Sequence, residues 1–316
     1  MIFKRMTARK YLLRCTLVVI LLTAVLVVIN VYVDLYGLFR PVKGRSLSIY
    51  SDERTSKYLL AHRYVPENFE GYILGPSLSA NLNPKLITEH KIYNLSMMGA
   101  NITEQKAVVD KALQHKAPQF VLVCLHPYLT HDHGMKTGMI NPKEYYGALG
   151  SMSLYKTYAI RFIRDHNLMP GKYPPNQFND YGYNFYDKIL QVMPVEEKIQ
   201  EQLKRPDAIK TDIDSVAMAE FVELMKSFKE KNVKVIGYFH PLPFPLYDKF
   251  RGPLGEYKQK MLAVMPEARI VDFNTPEYEF FTKDLSNYID HGHLSEKGQQ
   301  YLLREILTQA DMLKNR

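Results

Sequence analysis

"YILGPSLSANLNP", residues 72–84, is the stretch on which the reading of this chain turns. Three apolar residues run straight into Gly75, Pro76 and Ser77. A short apolar run closed by turn formers fits a buried strand, and a glycine at its end permits a sharp exit. Amides of a helical turn beyond it could then point at an anion. Ser77 would stand in that turn. A serine hydroxyl becomes a nucleophile near neutrality only when a base takes its proton and donors hold the oxyanion. On its own the segment is ordinary turn chemistry, so the rest of the chain must supply the partners.

Working outward, the same alternation of strand and helix recurs. "HKIYNLS" reads as a second strand, and "TEQKAVVDKALQHK" as a helix with Val108, Val109, Ala112 and Leu113 on one side. "PQFVLVCLH" is a continuous apolar run, as expected of a strand covered on both faces. Further on, "DSVAMAEFVELMKSFKEKN" places Phe221, Leu224, Met225 and Phe228 in a helical stripe. Strand "VKVIGYFHP", helix "GEYKQKMLAVMP" and strand "ARIVDFN" follow, and a last helix repeats the stripe with Leu303, Ile306, Leu307 and Ala310. Such alternation predicts an α/β fold with a mostly parallel sheet. Ligands in these folds bind beyond the carboxyl ends of the strands. Ser77, Gly99, His126, His240 and the loop around Asp290 all fall there.

The start of the chain is a separate object. "CTLVVILLTAVLVVINVYV", residues 15–33, carries no charge and at 1.5 Å per residue nearly crosses a hydrocarbon core of roughly 30 Å. It exceeds the apolar core of a cleaved signal and ends in "YVDLYGLF", with no small-residue cleavage site. One uncleaved transmembrane anchor is therefore expected, preceded by a cytoplasmic basic segment, residues 1–14. Lys4, Arg5, Arg9, Lys10 and Arg14 precede it with no acid among them, which keeps the N-terminus in the cytoplasm and sends the remainder outward. Residues 34–69 read as a stalk and a leading helix, "YSDERTSKYLLAHRY". The catalytic domain would run from 70 to 316.

Charge and cysteine content narrow the partners. The formal charge of +8, less the five leading cations, leaves +3, with no basic stripe of the kind that nucleic acid requires. Cys15 lies in the apolar run and Cys124 in a core strand, so no disulfide or cysteine metal site is expected. The middle, 127–212, is irregular: "SLYKTYAIRFIRDH" has the pattern of an amphipathic helix, whereas "NLMPGKYPPNQFNDYGYNFYD" must be loop. The region reads as an insertion at the edge of the domain, or a lid. Its tyrosines suit a chain-like substrate or, more simply, ordinary packing. "HPYLTHDHG" gathers His126, His131, Asp132 and His133, but lacks the helical spacing of a zinc site. No metal or cofactor is assigned.

"YIDHGHLSEKGQQYLL" supplies the partners for Ser77. A histidine here can act as base because imidazole titrates near neutrality. Asp290 can reach the far ring nitrogen of His293 if the chain turns tightly at Gly292, fixing the tautomer and stabilising the imidazolium. Spacing alone leaves His291 and His293 both open as the base. Ser295 would cap the helix that follows.

With these residues in view, the chain resembles the SGNH, or GDSL-type, hydrolase superfamily over roughly residues 70–310. It is most similar to membrane-anchored extracytoplasmic members that work beside polysaccharide or teichoic-acid acylation systems, the D-alanyl transfer protein among them. Gly75-Pro76-Ser77 resembles the first family block, "YNLSMMGAN" with Gly99 the second, and "YIDHGHLSEKG" the last. The resemblance implies a three-layer, flavodoxin-like sheet. It implies a triad of Ser77, Asp290 and His293, with the amides of Ser77 and Gly99 as oxyanion donors. One block departs: where the family has Gly-x-Asn-Asp, this chain reads "VCLHPYL", without the donor asparagine. His126 stands nearby as a replacement donor or substrate-binding group, and His240 would line the same cleft. The implied function is a serine-dependent esterase or O-acyltransferase acting on a cell-envelope polysaccharide or teichoic acid. Its implied partner is a membrane-embedded acyl-donor protein. The alternative is an inactive scaffold or glycan-binding member of such a system.

Overall fold

The computed structural model describes residues 8–47, 52–133, 140–173, 179–185 and 190–312. Lys4 and Arg5 of the basic segment, Tyr50 at the start of the expected leading helix, and residues 174–178 and 186–187 of the tyrosine-rich loop lie outside them. Among the described residues five parallel strands form one sheet: β1 Gly71–Leu74, β2 Ile92–Asn94, β3 Phe120–Cys124, β4 Lys234–Phe239 and β5 Arg269–Asp272. Their order is β2-β1-β3-β4-β5, the flavodoxin-like arrangement.

Strand residues alternate between two apolar layers, which is why the strands read as unbroken hydrophobic runs. Tyr72, Leu74, Val121 and Val123 face one core, shared with Val108 and Val109 of helix Ile102–His115 and with Phe221, Leu224 and Phe228 of helix Ser215–Glu230. Ile73, Leu122, Cys124 and Tyr238 face the other, closed by Leu302, Leu303, Ile306 and Leu307 of helix Glu296–Gln309. The architecture is thus helices, sheet, helices. Each of these helices opens on a side-chain cap anchored in the sequence: Asn101, Asp214 and Ser295.

Three segments differ from their sequence reading. Helix Phe244–Val264 starts eleven residues before "GEYKQKMLAVMP", since Pro243 and Pro245 suit a first turn that needs no amide donors. It kinks at Phe250, three residues before its internal Pro253. Residues 34–69, expected as a stalk and leading helix, contain the helix at Glu53–Leu60 but are packed against the domain: Leu35, Tyr36, Val42 and Leu47 are buried in the first core with Leu59, Leu60 and Val65. The insertion carries the expected helix, at Met152–Asp165, and a further one, Val195–Leu203, that the sequence reading did not assign. Its residues 179–184 are stitched to the β2 edge, where Asn94 N donates to Tyr181 O at 2.8 Å.

Ahead of all this stands helix Ala8–Val33, apolar and long enough to cross a membrane. It begins before the uncharged run and takes in Arg9, Lys10 and Arg14.

Candidate active site

The serine turn is built by exclusion. Gly75 has φ +150°, and a Cβ there would lie 2.5 Å from Ser79 Oγ and 2.6 Å from Cys124 Cβ, so only glycine fits. The chain then enters the short helix Ser77–Ala80 with Pro76 as its cap. Two serines are available, and packing separates them. Ser79 is fully buried, its hydroxyl donating to Pro76 O at 3.0 Å and lying 2.9 Å from Ser96 Oγ, from which it can accept. Ser77 instead lines a cleft of about 330 Å³ together with Leu78, His126, Tyr128, Arg205, Gly292 and His293.

The histidine loop is a small closed structure. Tyr288 and Leu294 form an antiparallel bridge, and Ile289 N donates to His293 O at 2.9 Å. Asp290 sits inside the loop and accepts three hydrogen bonds: Gly292 N to Oδ1 at 2.8 Å, His293 N to Oδ1 at 2.7 Å, and His293 Nδ1 to Oδ2 at 2.8 Å. Burial alone would raise its pKa. The bond and charge of His293, with His291 and the backbone donor, outweigh that and bring it down to about 2. It is therefore a carboxylate throughout the working range. His291, which spacing left as a rival base, also lines the cleft, but its pKa is lowered by burial and the Asp290 carboxylate bonds to the His293 ring.

Two hundred residues of chain separate these loops, yet they are fastened to each other. Asn81 Nδ2 donates to Leu294 O at 2.9 Å, and Gln299 spans both sides, accepting from Asn83 N at 3.0 Å and donating to Leu294 O at 2.9 Å. Gly292 packs so closely on Leu78 that a Cβ would approach its Cδ2 to 2.9 Å. Neither Asn81 nor Gln299 was singled out in the sequence. An asparagine after a short helix and a glutamine inside another look like solvent-facing residues until the fold buries them.

His126 follows β3 at the point where the strand order reverses, next to the serine turn. Tyr128 N donates to its Nδ1 at 3.2 Å, which leaves the proton of a neutral ring on Nε2. Burial, reinforced by His240, His131, His293 and His291, pushes its pKa down to about 3. His126 thus offers one neutral N–H donor at the cleft wall. Gly99 lies in the turn after β2 with φ +63°, beside Tyr128, whose hydroxyl is 3.8 Å from where a Cβ would stand. The cleft lining includes Tyr128 but not Gly99.

His240, expected in the cleft, stands behind it and is buried. Its Nε2 lies 2.8 Å from Gly292 O, and Asn274 Nδ2 holds the His240 carbonyl at 2.8 Å. It supports the loop and is not among the residues that line the cleft. The opposite wall comes from the insertion and the β4 exit: Gln202, Arg205, Ala208 and Ile209 face Leu242 and Leu246. A larger hollow, about 520 Å³, opens between helix Ser215–Glu230 and β5, lined by Lys226, Lys229 and Arg269 with apolar neighbours. It holds no pairing of base and nucleophile. Among the described residues no cluster of three or more metal-ligating side chains forms, and His131 instead pairs with Asp132 at 2.9 Å, itself held by Asn101 at 2.8 Å.

No known family pattern matches the sequence, and no curated protein matches it either. Solved structures do. A Streptococcus pneumonia protein provisionally described as a platelet activating factor aligns with 82% of this chain and 90% of its own, at TM-score 0.42 and 11% identity. A GDSL-like lipase of Bacteroides thetaiotaomicron covers 77% and 86% at TM-score 0.36 and 10% identity. A protein of Bacteroides fragilis, provisionally an acylhydrolase, covers 77% and 85% at TM-score 0.35 and 11% identity. Likenesses this remote carry nothing across to the site, whose chemistry rests on its own residues.

Proposed function

We propose that this protein is a serine-dependent acyl-transferring enzyme, an esterase or O-acyltransferase, working on an acylated polysaccharide or teichoic acid of the cell envelope. The observation that carries the reading is the buried Asp290 carboxylate 2.8 Å from His293 Nδ1, in a loop that shares its cleft with Ser77. With Nδ1 turned to the carboxylate, Nε2 is the ring atom left to work as base. Ser77 Oγ attacks the ester carbonyl while His293 Nε2 takes its proton. The oxyanion is held by the Ser77 amide and by His126 Nε2–H, in the place of the absent asparagine, with Gly99 as the further donor that the motif resemblance implies. Collapse expels the alcohol, which recovers the proton from His293, and leaves an acyl-serine. Water or a sugar hydroxyl, deprotonated by the same histidine, then releases the acyl group.

Helix Ala8–Val33 supports a single-pass topology. Arg9, Lys10 and Arg14 at its leading end favour a cytoplasmic N-terminus and a catalytic domain outside. A substrate in the envelope and a membrane-embedded acyl donor as partner fit that placement.

The test uses the full chain in detergent with a fluorophosphonate probe and with p-nitrophenyl acetate, beside Ser77→Ala. Labelling and turnover are expected in the parent and lost in the variant; activity surviving the substitution would reject the assignment. A second reading, a non-catalytic scaffold, is favoured by the missing asparagine. It predicts that the folded parent neither labels nor turns over.

A further inference from the structure

The apolar anchor helix contains one polar side chain near its end, and that residue is used. Asn30 is 2% exposed, whereas its neighbour Tyr32 is 76% exposed. Its Nδ2 donates to Leu149 O at 2.7 Å, and Tyr158 Oη donates to its Oδ1 at 3.3 Å. Both partners belong to the insertion. An asparagine amide left in hydrocarbon is costly, and here both of its ends are satisfied by the domain. The uncharged run is bounded by Arg14 and Asp34, and the twenty rises between them cover about 30 Å of helix, the thickness of a hydrocarbon core. Asn30 therefore lies in the last turn before the span leaves the membrane, and Leu149 and Tyr158 stand at that level.

Helix Met152–Asp165 starts there with the wrong surface for water. Its inner side buries Leu154 and Thr157. Its outer side, at three- and four-residue spacing, presents Met152, Lys156, Ala159 and Phe162, and the chain beyond it exposes Leu168 and Met169. A helix on a soluble domain turns polar residues outward. Here Met152 is 84% exposed and Phe162 56%. Of its three cations Lys156 is exposed on this face, whereas Arg161 pairs with Asp165 at 3.4 Å and Arg164 is half-buried. Apolar residues outward with a lysine among them suit a helix lying in the headgroup layer.

We propose that the outer face of helix Met152–Asp165, with Leu168 and Met169, rests in the lipid headgroup layer of the membrane the anchor crosses. The occupant of this face is lipid, since the face is continuous with the end of the span and carries the charge that anionic headgroups complement. It does not depend on the acyl chemistry above. The domain is held to the membrane at two places, the anchor and this helix, and the cleft wall formed by the insertion has a fixed relation to the surface.

The chain contains no tryptophan, so a single one reports its own surroundings. Full-length Phe162→Trp is reconstituted in vesicles of phosphatidylcholine and phosphatidylglycerol, with and without brominated acyl chains. Leu21→Trp, within the anchor, and Phe280→Trp, exposed on the other face of the sheet, are the references. The Phe162→Trp emission is expected to shift to the blue and to be quenched by bromine, as Leu21→Trp is, while Phe280→Trp keeps full intensity. Emission from Phe162→Trp that matches Phe280→Trp overturns the proposal. A blue shift without quenching overturns it as well, and assigns the face to a protein partner or a second copy. If Leu21→Trp also escapes quenching, the anchor reading falls with it.

Discussion

The two sides of the cleft are made differently. On one side are the strand-end loops, 75–83 and 288–295, short, buried and fastened to each other by Asn81 and Gln299. On the other is the insertion, whose Gln202, Arg205, Ala208 and Ile209 line the cleft from a helix end and loop that are largely solvent-facing. Catalytic groups need fixed geometry within fractions of an ångström, and only the first side supplies it. The insertion supplies shape, charge and, through Asn30, the tie to the anchor. Chemistry should therefore reside on the sheet and selectivity on the insertion.

The sharpest way to break that division is Asp290→Asn. The amide keeps the loop's shape, since its oxygen still accepts from the Gly292 and His293 amides, but its NH2 cannot accept from the ring. The histidine takes the wrong tautomer, and kcat on p-nitrophenyl acetate should fall by about ten-thousandfold. Melting temperature distinguishes this from unfolding. A fall of less than tenfold in a folded variant would mean that His293 is not the base.

His126→Ala comes next. Removing one oxyanion donor costs about a hundred- to a thousandfold in kcat, with KM little changed. Fluorophosphonate labelling should slow by a similar factor yet still reach one label per chain. Unchanged kcat would return His126 to a purely structural role and leave the missing asparagine without a replacement. On the insertion the expectation is reversed. Arg205 makes only a loose, exposed pair with Asp207 at 3.9 Å, so Arg205→Ala should leave kcat alone and raise KM for an anionic ester by about fivefold at most. If kcat collapses instead, the insertion is part of the catalytic machinery and the division is wrong.

The same division governs what could be read in the sequence. Strands and helices of the sheet were legible because burial on two faces leaves unbroken apolar runs, as in residues 120–124, and burial on one leaves helical stripes, as at Phe221, Leu224 and Phe228. Asp290 and His293 were legible because three residues and a glycine suffice to close their loop. Packing decided what spacing left open, the His293 ring over that of His291 as the partner of Asp290. What stayed illegible depends on distant partners. Nothing near Asn81 foretells a bond to Leu294, nothing near Leu35 and Val42 foretells burial of a supposed stalk, and His240 looks like a cleft residue until Gly292 O is found opposite its ring.

The smallest effect is expected at His240, and it separates support from chemistry within the rigid side. Burial lowers its pKa from the ordinary 6.5 to about 4, with the Gly292 carbonyl partly opposing. The unfolded chain takes up this proton near pH 6.5, the folded chain only near 4. The stability it contributes is therefore complete above pH 6.5 and is lost as the pH falls toward 4. His126 acts in the same direction down to about 3, and Asp290, lowered from 3.8 to about 2, adds to the loss below pH 4. His240→Gln removes one of these titrations, while its side-chain amide can still donate to Gly292 O. The fall in melting temperature between pH 6.5 and 4 should become shallower, with the His126 contribution remaining, and kcat at pH 7 should stay within a few-fold of the parent. An unchanged acid limb would mean that His240 is solvated and titrates normally. A large loss of kcat at neutral pH, with the fold intact, would move His240 from the scaffold behind the loop into the reaction itself.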